Sequence, residues 1–442
     1  MKKLFFYLFC LLNLVIIVFF WWHNSATLFL DHTPGSTYLA LGRLTGLLGE
    51  YFILAELILI GRITWVEQIF GFDKMNIVHR WIGYGIITFF LGHIILIVYS
   101  NAIFNGISSV SQFLTYAQTG EYLRGIISFV MFVAIIITSI AIIRKKFRYE
   151  TWYFIHLLTY VAIVLVLGHQ TYANGGDVSN GAPLYYWLFI NYSILGLVLV
   201  FRWVKPFYLY RRHRFFVEKI TQESSDVYSI YITGKDIGNF KFRAGQFANL
   251  TFLSKGLWFT HPFSFSAAPN GEYLRFTVKN LGDFTNKIDR IKVNTKVILD
   301  GPMGLFTENQ SNRNKYLLIA GGIGITPIRA LIEDMAKHDT DMILLYGNKF
   351  EKEIVFRQEL YHISDRCNIL KCHLAISNVL EEITPNYEKG RIDSEKIIRL
   401  APDFKEREIY ICGPSPMMKA VVKILLELGA TRSQIHYEKF AY

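Results

Sequence analysis

Apolar positions crowd the first half of the chain and thin out in the second. Six long runs with few or no charges stand out: Leu4–Trp22, Tyr38–Ile60, Ile77–Tyr99, Gly125–Ile143, Trp152–Gly168 and Tyr185–Val204. About 20 helical residues cross the roughly 30 Å of bilayer hydrocarbon, and most of these runs are near that length. After Lys205 no comparable run occurs. Short alternating stretches follow at Phe215–Val217, Val227–Ile232, Gln246–Leu250, Leu274–Val278 and Lys296–Leu299. Gly and Pro punctuate them, the pattern of a small antiparallel barrel. From Lys315 the pattern turns to strand then helix, with strands at Lys315–Ala320, Met342–Tyr346 and Glu408–Ile411, as in a parallel α/β nucleotide fold. The expected fold class is a multidomain membrane protein: a six-helix transmembrane bundle over 1–208, an antiparallel β-barrel over 209–310 and an α/β parallel-sheet domain over 311–442.

Composition follows the same division. Hydrophobic residues make up 52% of the 442 positions, charged ones 18%, and mean hydropathy is +0.29. With aromatics at 16%, a disordered chain is excluded, and the balance argues against a purely soluble enzyme. Four cysteines in a chain of this length exclude a disulfide scaffold.

The net charge of +11 admits nucleic acid as a partner until the basic residues are placed. Lys2 and Lys3 precede the first run, Arg62, Lys74 and Arg80 separate the second from the third, and Arg144, Lys145, Lys146 and Arg148 the fourth from the fifth. Arg202, Lys205, Arg211, Arg212 and Arg214 close the sixth, while segments 23–37, 100–123 and 169–184 hold no Lys or Arg. The alternation obeys the positive-inside rule. It predicts a multi-pass protein of the cell (plasma) membrane with both termini cytoplasmic, and it accounts for much of the charge without nucleic acid. The first run reads as an uncleaved anchor rather than a signal peptide, because it is long and no small-residue cleavage site follows Trp21-Trp22.

Ionisable residues inside membrane helices are costly and usually functional. The third run carries His79 and His93, fourteen residues apart, and the fifth carries His156 and His169, thirteen apart. Fourteen residues rise about 21 Å, so each helix offers one His near the cytoplasmic side and one near the outer side. Two facing His at each of two levels is the arrangement for two bis-histidine haems in a bundle. No Cys-x-x-Cys-His occurs, so the haems are expected to be b-type. Zinc or copper would need ligands converging at one depth. The angles are less regular: thirteen residues leave His156 and His169 about 140° apart on an ideal helix, which calls for a distorted helix or rotated haems. Glu50 and Glu56, in the second run, read as hydrogen-bonded bundle carboxylates rather than a proton path.

In the last domain, Gly321-Gly322-Ile323-Gly324-Ile325-Thr326-Pro327 follows a strand, with Thr326 expected as the cap of the next helix and Pro327 at its first position. Glycines there let a diphosphate approach backbone N–H groups at a helix start, although ligand-free tight turns use them too. Ser415 and Pro416 repeat the cap-then-proline pattern for a helix ending near Gly429.

The order of motifs resembles the ferredoxin-NADP reductase superfamily in the form seen in NADPH oxidases and ferric reductases. His261-Pro262-Phe263-Ser264-Phe265-Ser266 resembles the flavin motif, Val278–Thr285 with Lys279, Gly282 and Thr285 the flavin-diphosphate segment, and Asp300–Gly304 the turn closing the barrel. Gly321–Pro327 and Cys412-Gly413-Pro414 match the nicotinamide-nucleotide motifs, and Tyr437–Phe440 the C-terminal aromatic segment. The resemblance implies FAD in the barrel and NAD(P)H in the α/β domain. It implies that Phe263 packs on the isoalloxazine, Ser264 hydrogen-bonds near its N5, Cys412 faces the nicotinamide and Phe440 stacks on the flavin face, with Tyr442 the competing ring. Lys349 stands near where related reductases often carry an Arg for the 2′-phosphate, which allows NADPH without excluding NADH.

Arg43 and Arg62 are spaced on the second run as in the NADPH oxidases, which implies that Arg43 lies near the outer haem, pairing a propionate or attracting an anion. An interfacial Arg snorkelling outward is the alternative. The chain departs from phagocyte-type members at Ile97, where they carry a further His. Cys367 and Cys372 read as plain cytosolic thiols. The expected function is a transmembrane NAD(P)H oxidase passing electrons through FAD and two haems to extracellular O2, giving superoxide. A ferric-chelate reductase and an electron-relay subunit are the rival readings. No EF-hand or SH3 domain is visible, so no obligatory regulatory partner is expected.

Overall fold

The computed structural model describes residues 2–140, 143, 146–147, 149–172, 176–308, 313–338, 340–367, 369–378 and 387–438. The chain divides into two compact units, Met1–Arg202 and Trp203–Tyr442.

The first unit is helical: α1 (Lys2–Leu30), α2 (Pro34–Ile60), α3 (Thr64–Phe70), α4 (Phe72–Asn105), α5 (Ser109–Gln118), α6 (Gly120–Ser139), α7 (Tyr149–Tyr172) and α8 (Gly181–Leu199). A π-helical turn, Val200–Val204, leads into α9 (Lys205–His213). Among the described residues five helices are long and apolar enough to cross a membrane, and a sixth span arises if α2 and α3, bent by 90°, count as one. Each span starts before the apolar run that predicted it, because polar residues at helix ends still close backbone hydrogen bonds, whereas α6 ends at Ser139, short of Ile143. Arg62 lies beyond the end of α2, at φ 57°, and not on the helix as expected.

Glycine decides how closely α2 and α4 approach. A Cβ on Gly35 would meet Phe104, on Gly42 Ile97, on Gly46 His93 and on Gly49 Phe90. These four positions recur at helical spacing, a stripe of missing side chains that lets two membrane helices pack backbone to side chain. The core of the unit is apolar, with Ile17, Leu54, Ile163 and Trp187 almost fully buried.

The second unit contains α9 and then two three-stranded antiparallel sheets. Strands β1 (Phe216–Ser224), β2 (Val227–Thr233), β3 (Phe247–Phe252), β4 (His261–Ser264), β5 (Leu274–Lys279) and β6 (Val297–Met303) pair in the orders β1-β2-β5 and β4-β3-β6. Bridges Phe216↔Lys296 and Phe265↔Phe276 join the sheets around a core of Phe215, Phe252, Phe265 and Phe276. Next come β7 (Lys315–Gly321), α10 (Ile325–Met335), β8 (Asp341–Asn348), α11 (Arg357–Cys367), β9 (Leu370–Ile376), β10 (Tyr387–Lys389), α12 (Ser394–Leu400), β11 (Glu408–Cys412), α13 (Ser415–Glu427) and β12 (Ile435–Tyr437). The sheet is parallel, in the order β10-β9-β8-β7-β11-β12.

Both faces of this sheet are covered. Leu318, Ala320, Leu344 and Tyr410 point into one core, and Leu317, Ile319, Ile343 and Ile409 into the other. A strand buried on both faces reads as a continuous apolar run, as Lys315–Ala320 does. Barrel and sheet domain are tied by buried charge. Arg275 on β5 makes a two-pronged bond to Glu359 on α11 at 2.9 and 3.1 Å, and Arg329 on α10 reaches the same carboxylate at 2.7 Å. Both guanidinium groups also donate to Ser266 O.

Candidate functional site

The four membrane histidines come together in the expected pairs. The rings of His79 on α4 and His156 on α7 lie 6.1 Å apart, and those of His93 and His169 lie 6.2 Å apart. Two imidazoles on one metal at about 2.0–2.1 Å each, with roughly 1 Å from nitrogen to ring centre, put ring centres about 6 Å apart. Both pairs fit an iron between them. Helix α7 is α-helical throughout, so the thirteen-residue spacing is not absorbed by a break in the helix. Among the described residues no group of three or more His, Cys, Asp or Glu is placed to hold a metal ion.

Each Nδ1 has a partner, which leaves the Nε2 atoms for iron. His93 Nδ1 donates to Gly42 O at 2.8 Å, and His169 Nδ1 to Glu121 O at 3.1 Å. These two histidines are held by one device. Four residues after each accepting carbonyl stands a glycine, Gly46 and Gly125, and a Cβ there would sit 2.7 Å from His93 Nδ1 and 3.1 Å from His169 Cγ. At the inner level His79 Nδ1 is hydrogen-bonded to Glu56 Oε2, while His156 Nδ1 has Ser139 Oγ at 3.5 Å and stacks on Trp152. The glycines and Glu56 were not singled out as site residues from the sequence; glycine recurring inside an apolar helix was the available signal. Glu56 is hydrogen-bonded as expected, but fully buried Glu50 has no partner for either oxygen among the described residues, a departure from that expectation.

A cavity of about 260 Å³ opens at the outer level, lined by His93, His169, Phe90, Tyr122 and Arg43. The Arg43 guanidinium is not a free cation: its Nη1 lies 3.5 Å from Asp177 Oδ1 and 3.3 Å from Ser25 Oγ, and Ser25 donates to Asp177 at 2.7 Å. Burial pushes the Asp177 carboxyl up, opposed by Ser25 and then Arg43.

In the barrel, His261, Pro262, Phe263 and Ser264 form β4 and pair with β3. The His261 ring lies 3.9 Å from that of Phe284, and Phe263 stacks near the same ring. Thr285 Oγ1 accepts from the N–H groups of Leu281 and Gly282 at 2.8 and 3.0 Å, which closes the turn after β5. Lys279 sits between Asp226 at 3.4 Å and Glu353 at 3.7 Å.

In the sheet domain the strand order reverses at β7: β8 to β10 build outward on one side, β11 and β12 on the other. Ligands of open α/β sheets bind outside the carboxyl ends of the strands at such a switch point. Gly321, Gly322 and Gly324 leave β7 there, and Cys412, Gly413 and Pro414 leave β11. The two turns touch through backbone: a Cβ on Gly413 would lie 3.1 Å from Gly321, and one on Gly324 would strike the Cys412 peptide. Glycine is obligatory for this contact, and Gly322 also holds φ 51°.

Helix α10 starts at Ile325 after a 3-10 turn, so Gly324, not Thr326, takes the cap position. Thr326 donates its hydroxyl to Ile323 O at 3.0 Å instead of accepting from the helix. Pro327 is buried in the first turn. Ser415 likewise falls inside α13, after Pro414.

The Cys412 thiol is buried and pushed far up, first by burial and then by the Glu438 carboxylate, so it is held as an uncharged, packed group. Cys372 on β9 is raised to about 12 by burial. Lys349 is exposed just past β8, its Nζ 5.2 Å from the Phe350 ring. Phe440 and Tyr442 lie outside the described residues, as does the Cys367 side chain.

Three protein families match in chain order. The ferric reductase like transmembrane component matches residues 45–167, the FAD-binding domain 214–316 and the oxidoreductase NAD-binding domain 318–423. Among curated proteins the chain is similar to the glycine betaine monooxygenase reductase subunit of Pseudomonas aeruginosa, 30% identical over 236 residues, 52% of this chain and 64% of that protein. It is also similar to the flavohemoprotein of Bacillus anthracis, 27% identical over 51% of this chain and 60% of that one. The chain thus spans less than two thirds of these relatives. Among solved structures, the flavohem-like FAD/NAD binding domain of nitric oxide dioxygenase from Vibrio cholerae is 27% identical, with a TM-score of 0.46, over 52% of this chain and 98% of that one. The chain therefore joins a ferric-reductase-like transmembrane component to FAD- and NAD-binding oxidoreductase domains, consistent with the ferric reductase and NADPH oxidase-like superfamily read from its motifs.

Proposed function

We propose that this protein is a transmembrane NAD(P)H oxidase that passes electrons from the cytosol through FAD and two b-type haems to O2 outside, giving superoxide. When bound, FAD would convert the electron pair of a hydride into single electrons that haem iron can carry. The observation that carries the proposal is the pair of facing histidine levels, ring centres 6.1 and 6.2 Å apart, on a chain that also has a glycine-built crevice at a parallel-sheet switch point.

His79 and His156 would hold the inner haem, His93 and His169 the outer. Iron held by two histidines at each level would have no ligand position left for O2, so the haems would supply electrons singly to an acceptor that does not bind the metal. His261 to Ser264, with Lys279, Gly282 and Thr285, would hold the flavin. Gly321, Gly322, Gly324, Thr326, Pro327, Gly413 and Pro414 would cradle the nucleotide, with Lys349 at a 2′-phosphate, Cys412 behind the nicotinamide and Phe440 over the flavin. In this reading the membrane, barrel and sheet domains span 1–208, 209–310 and 311–442, the host bilayer is the cell membrane, and both termini are cytoplasmic.

A ferric-chelate reductase on the same scaffold is the rival. Asp177 meets the charge of Arg43 at the outer cavity, which suits neutral O2 better than an anionic chelate. The test is cytochrome c reduction by the purified full chain with NADPH or NADH. Superoxide dismutase should abolish it. Reduction of a ferric chelate without superoxide would favour the rival, and activity only with an added protein would mark a relay subunit.

A further inference from the structure

The two histidine levels are held by different chemistry, although one helix serves both. On α2, Gly42 and Glu56 are fourteen residues apart, the same separation as His79 and His93 on α4. Gly42 therefore meets His93, and Glu56 meets His79. At the outer level both Nδ1 atoms donate to uncharged backbone carbonyls. At the inner level His79 meets a carboxylate. Glu56 is buried, its Oε1 has no hydrogen-bond partner among the described residues, and its Oε2 meets His79 Nδ1. The carboxyl group is directed at one ring.

We propose, on the basis of the bis-histidine reading above, that Glu56 is a positioning residue that orders the two haem potentials, holding the inner below the outer. A carboxylate accepting from Nδ1 fixes the tautomer, aims Nε2 at the metal and makes the ring a stronger electron donor. Its charge also favours ferric over ferrous iron, and a low-dielectric bundle screens it poorly. Hydrogen bonding and burial around the ligands are among the levers that set haem potentials. A backbone carbonyl offers only a partial charge, so the outer iron feels less. One electron moving from the inner iron to the outer oxidises the first and reduces the second. The ordering makes that transfer downhill in the outward direction.

The test is a redox titration of the full-length, haem-loaded protein, followed at its haem bands, for wild type and Glu56→Gln. Gln can still accept from Nδ1 but carries no charge. Wild type should show two one-electron components of different midpoint. In Glu56→Gln the lower one should rise while the upper stays, with about 59 mV for each tenfold change in the ferric–ferrous preference. The same rise should appear in a His93→Ala background, where the inner haem alone remains. Two bound haems with unchanged midpoints, or movement of the upper component alone, overturn the proposal. If Glu56→Gln retains only one haem, Glu56→Asp decides: it must restore two haems in the wild-type order, and failure to do so also overturns it. A wild-type protein that binds no haem would instead defeat the bis-histidine reading, so the two failures are distinguishable.

Discussion

The membrane unit and the dehydrogenase unit build their sites by opposite means. In the first, side chains supply the chemistry: four histidines project from α4 and α7, and glycine on the neighbouring helices makes room for two of their rings. In the second, backbone shapes it: Gly321, Gly324 and Gly413 strip two turns to their peptides, which pack against each other beside the start of α10. The difference follows from the solvent. In lipid the backbone donors are spent within their helices and carbonyls keep only a second lone pair, as Gly42 O and Glu121 O offer to histidine, so the reactive groups must be side chains. In water a strand can end, and its last peptides remain free for a phosphate.

The largest expected effect tests whether the two regions are separable. His93→Ala or His169→Ala should remove one of two haems by pyridine haemochrome assay and abolish acceptor reduction, while flavin reduction by NAD(P)H survives. Loss of flavin reduction as well would mean that the regions are not independent. The converse change is Gly324→Ala, which drives a Cβ into the Cys412 peptide. Overpacking of this kind costs about 1–3 kcal/mol. NAD(P)H binding should be lost or weakened many-fold with both haems still present, and unchanged nucleotide affinity would contradict the backbone contact.

A smaller effect concerns the buried charge between barrel and sheet. Burial raises the Glu359 carboxyl, but Arg275 and then Arg329 more than offset this and hold it below the usual carboxylate range. Its stabilising contribution is therefore complete above the ordinary carboxylate pKa and lost as pH falls through the lowered value. Glu359→Gln should lower the unfolding midpoint of the dehydrogenase unit near neutral pH, by about 1–3 kcal/mol, and flatten its loss of stability in acid. A variant with the wild-type acid profile would remove Glu359 from that role.

The smallest effect concerns the tail. If Phe440 covers the flavin, Phe440→Ser should tighten nicotinamide binding roughly two- to tenfold, the worth of one stacked aromatic pair. Deletion of Tyr442, measured beside it, should leave affinity and flavin spectrum unchanged. The opposite pattern would transfer the stacking role to Tyr442.

Much of this protein is legible along one dimension. Run length sets the membrane spans, because hydrocarbon thickness is fixed, and each of the six runs overlaps an observed helix. Histidine spacing sets two levels, because helical rise is fixed. Strand-then-glycine order marks the nucleotide turns. The short β4, β10 and β12 were not separately recognised as strands, since three or four residues carry little periodic signal; β9, seven residues long and inside the sheet, was missed too, its burial showing no regular alternation. The cap at Thr326 failed for a local reason: Gly324 packs so tightly on Cys412 that the chain first turns through Gly322–Gly324, and the helix begins at Ile325.

The sequence by itself determined the division into a membrane half and a dehydrogenase half, the depths of the four histidines and the glycines of the nucleotide turns. These depend on rise per residue, apolar length and local backbone freedom, all properties of neighbours in the chain. Only the tertiary structure decided which groups meet the histidines: a carbonyl of α2, a carbonyl of α6, a hydroxyl at Ser139 and the carboxylate of Glu56. It also decided that Asp177 meets Arg43, across 134 positions of chain, since 177 − 43 = 134. Rotation of one helix about its axis against the next sets such contacts, and that angle is fixed by packing between helices rather than by the spacing of residues along any one of them.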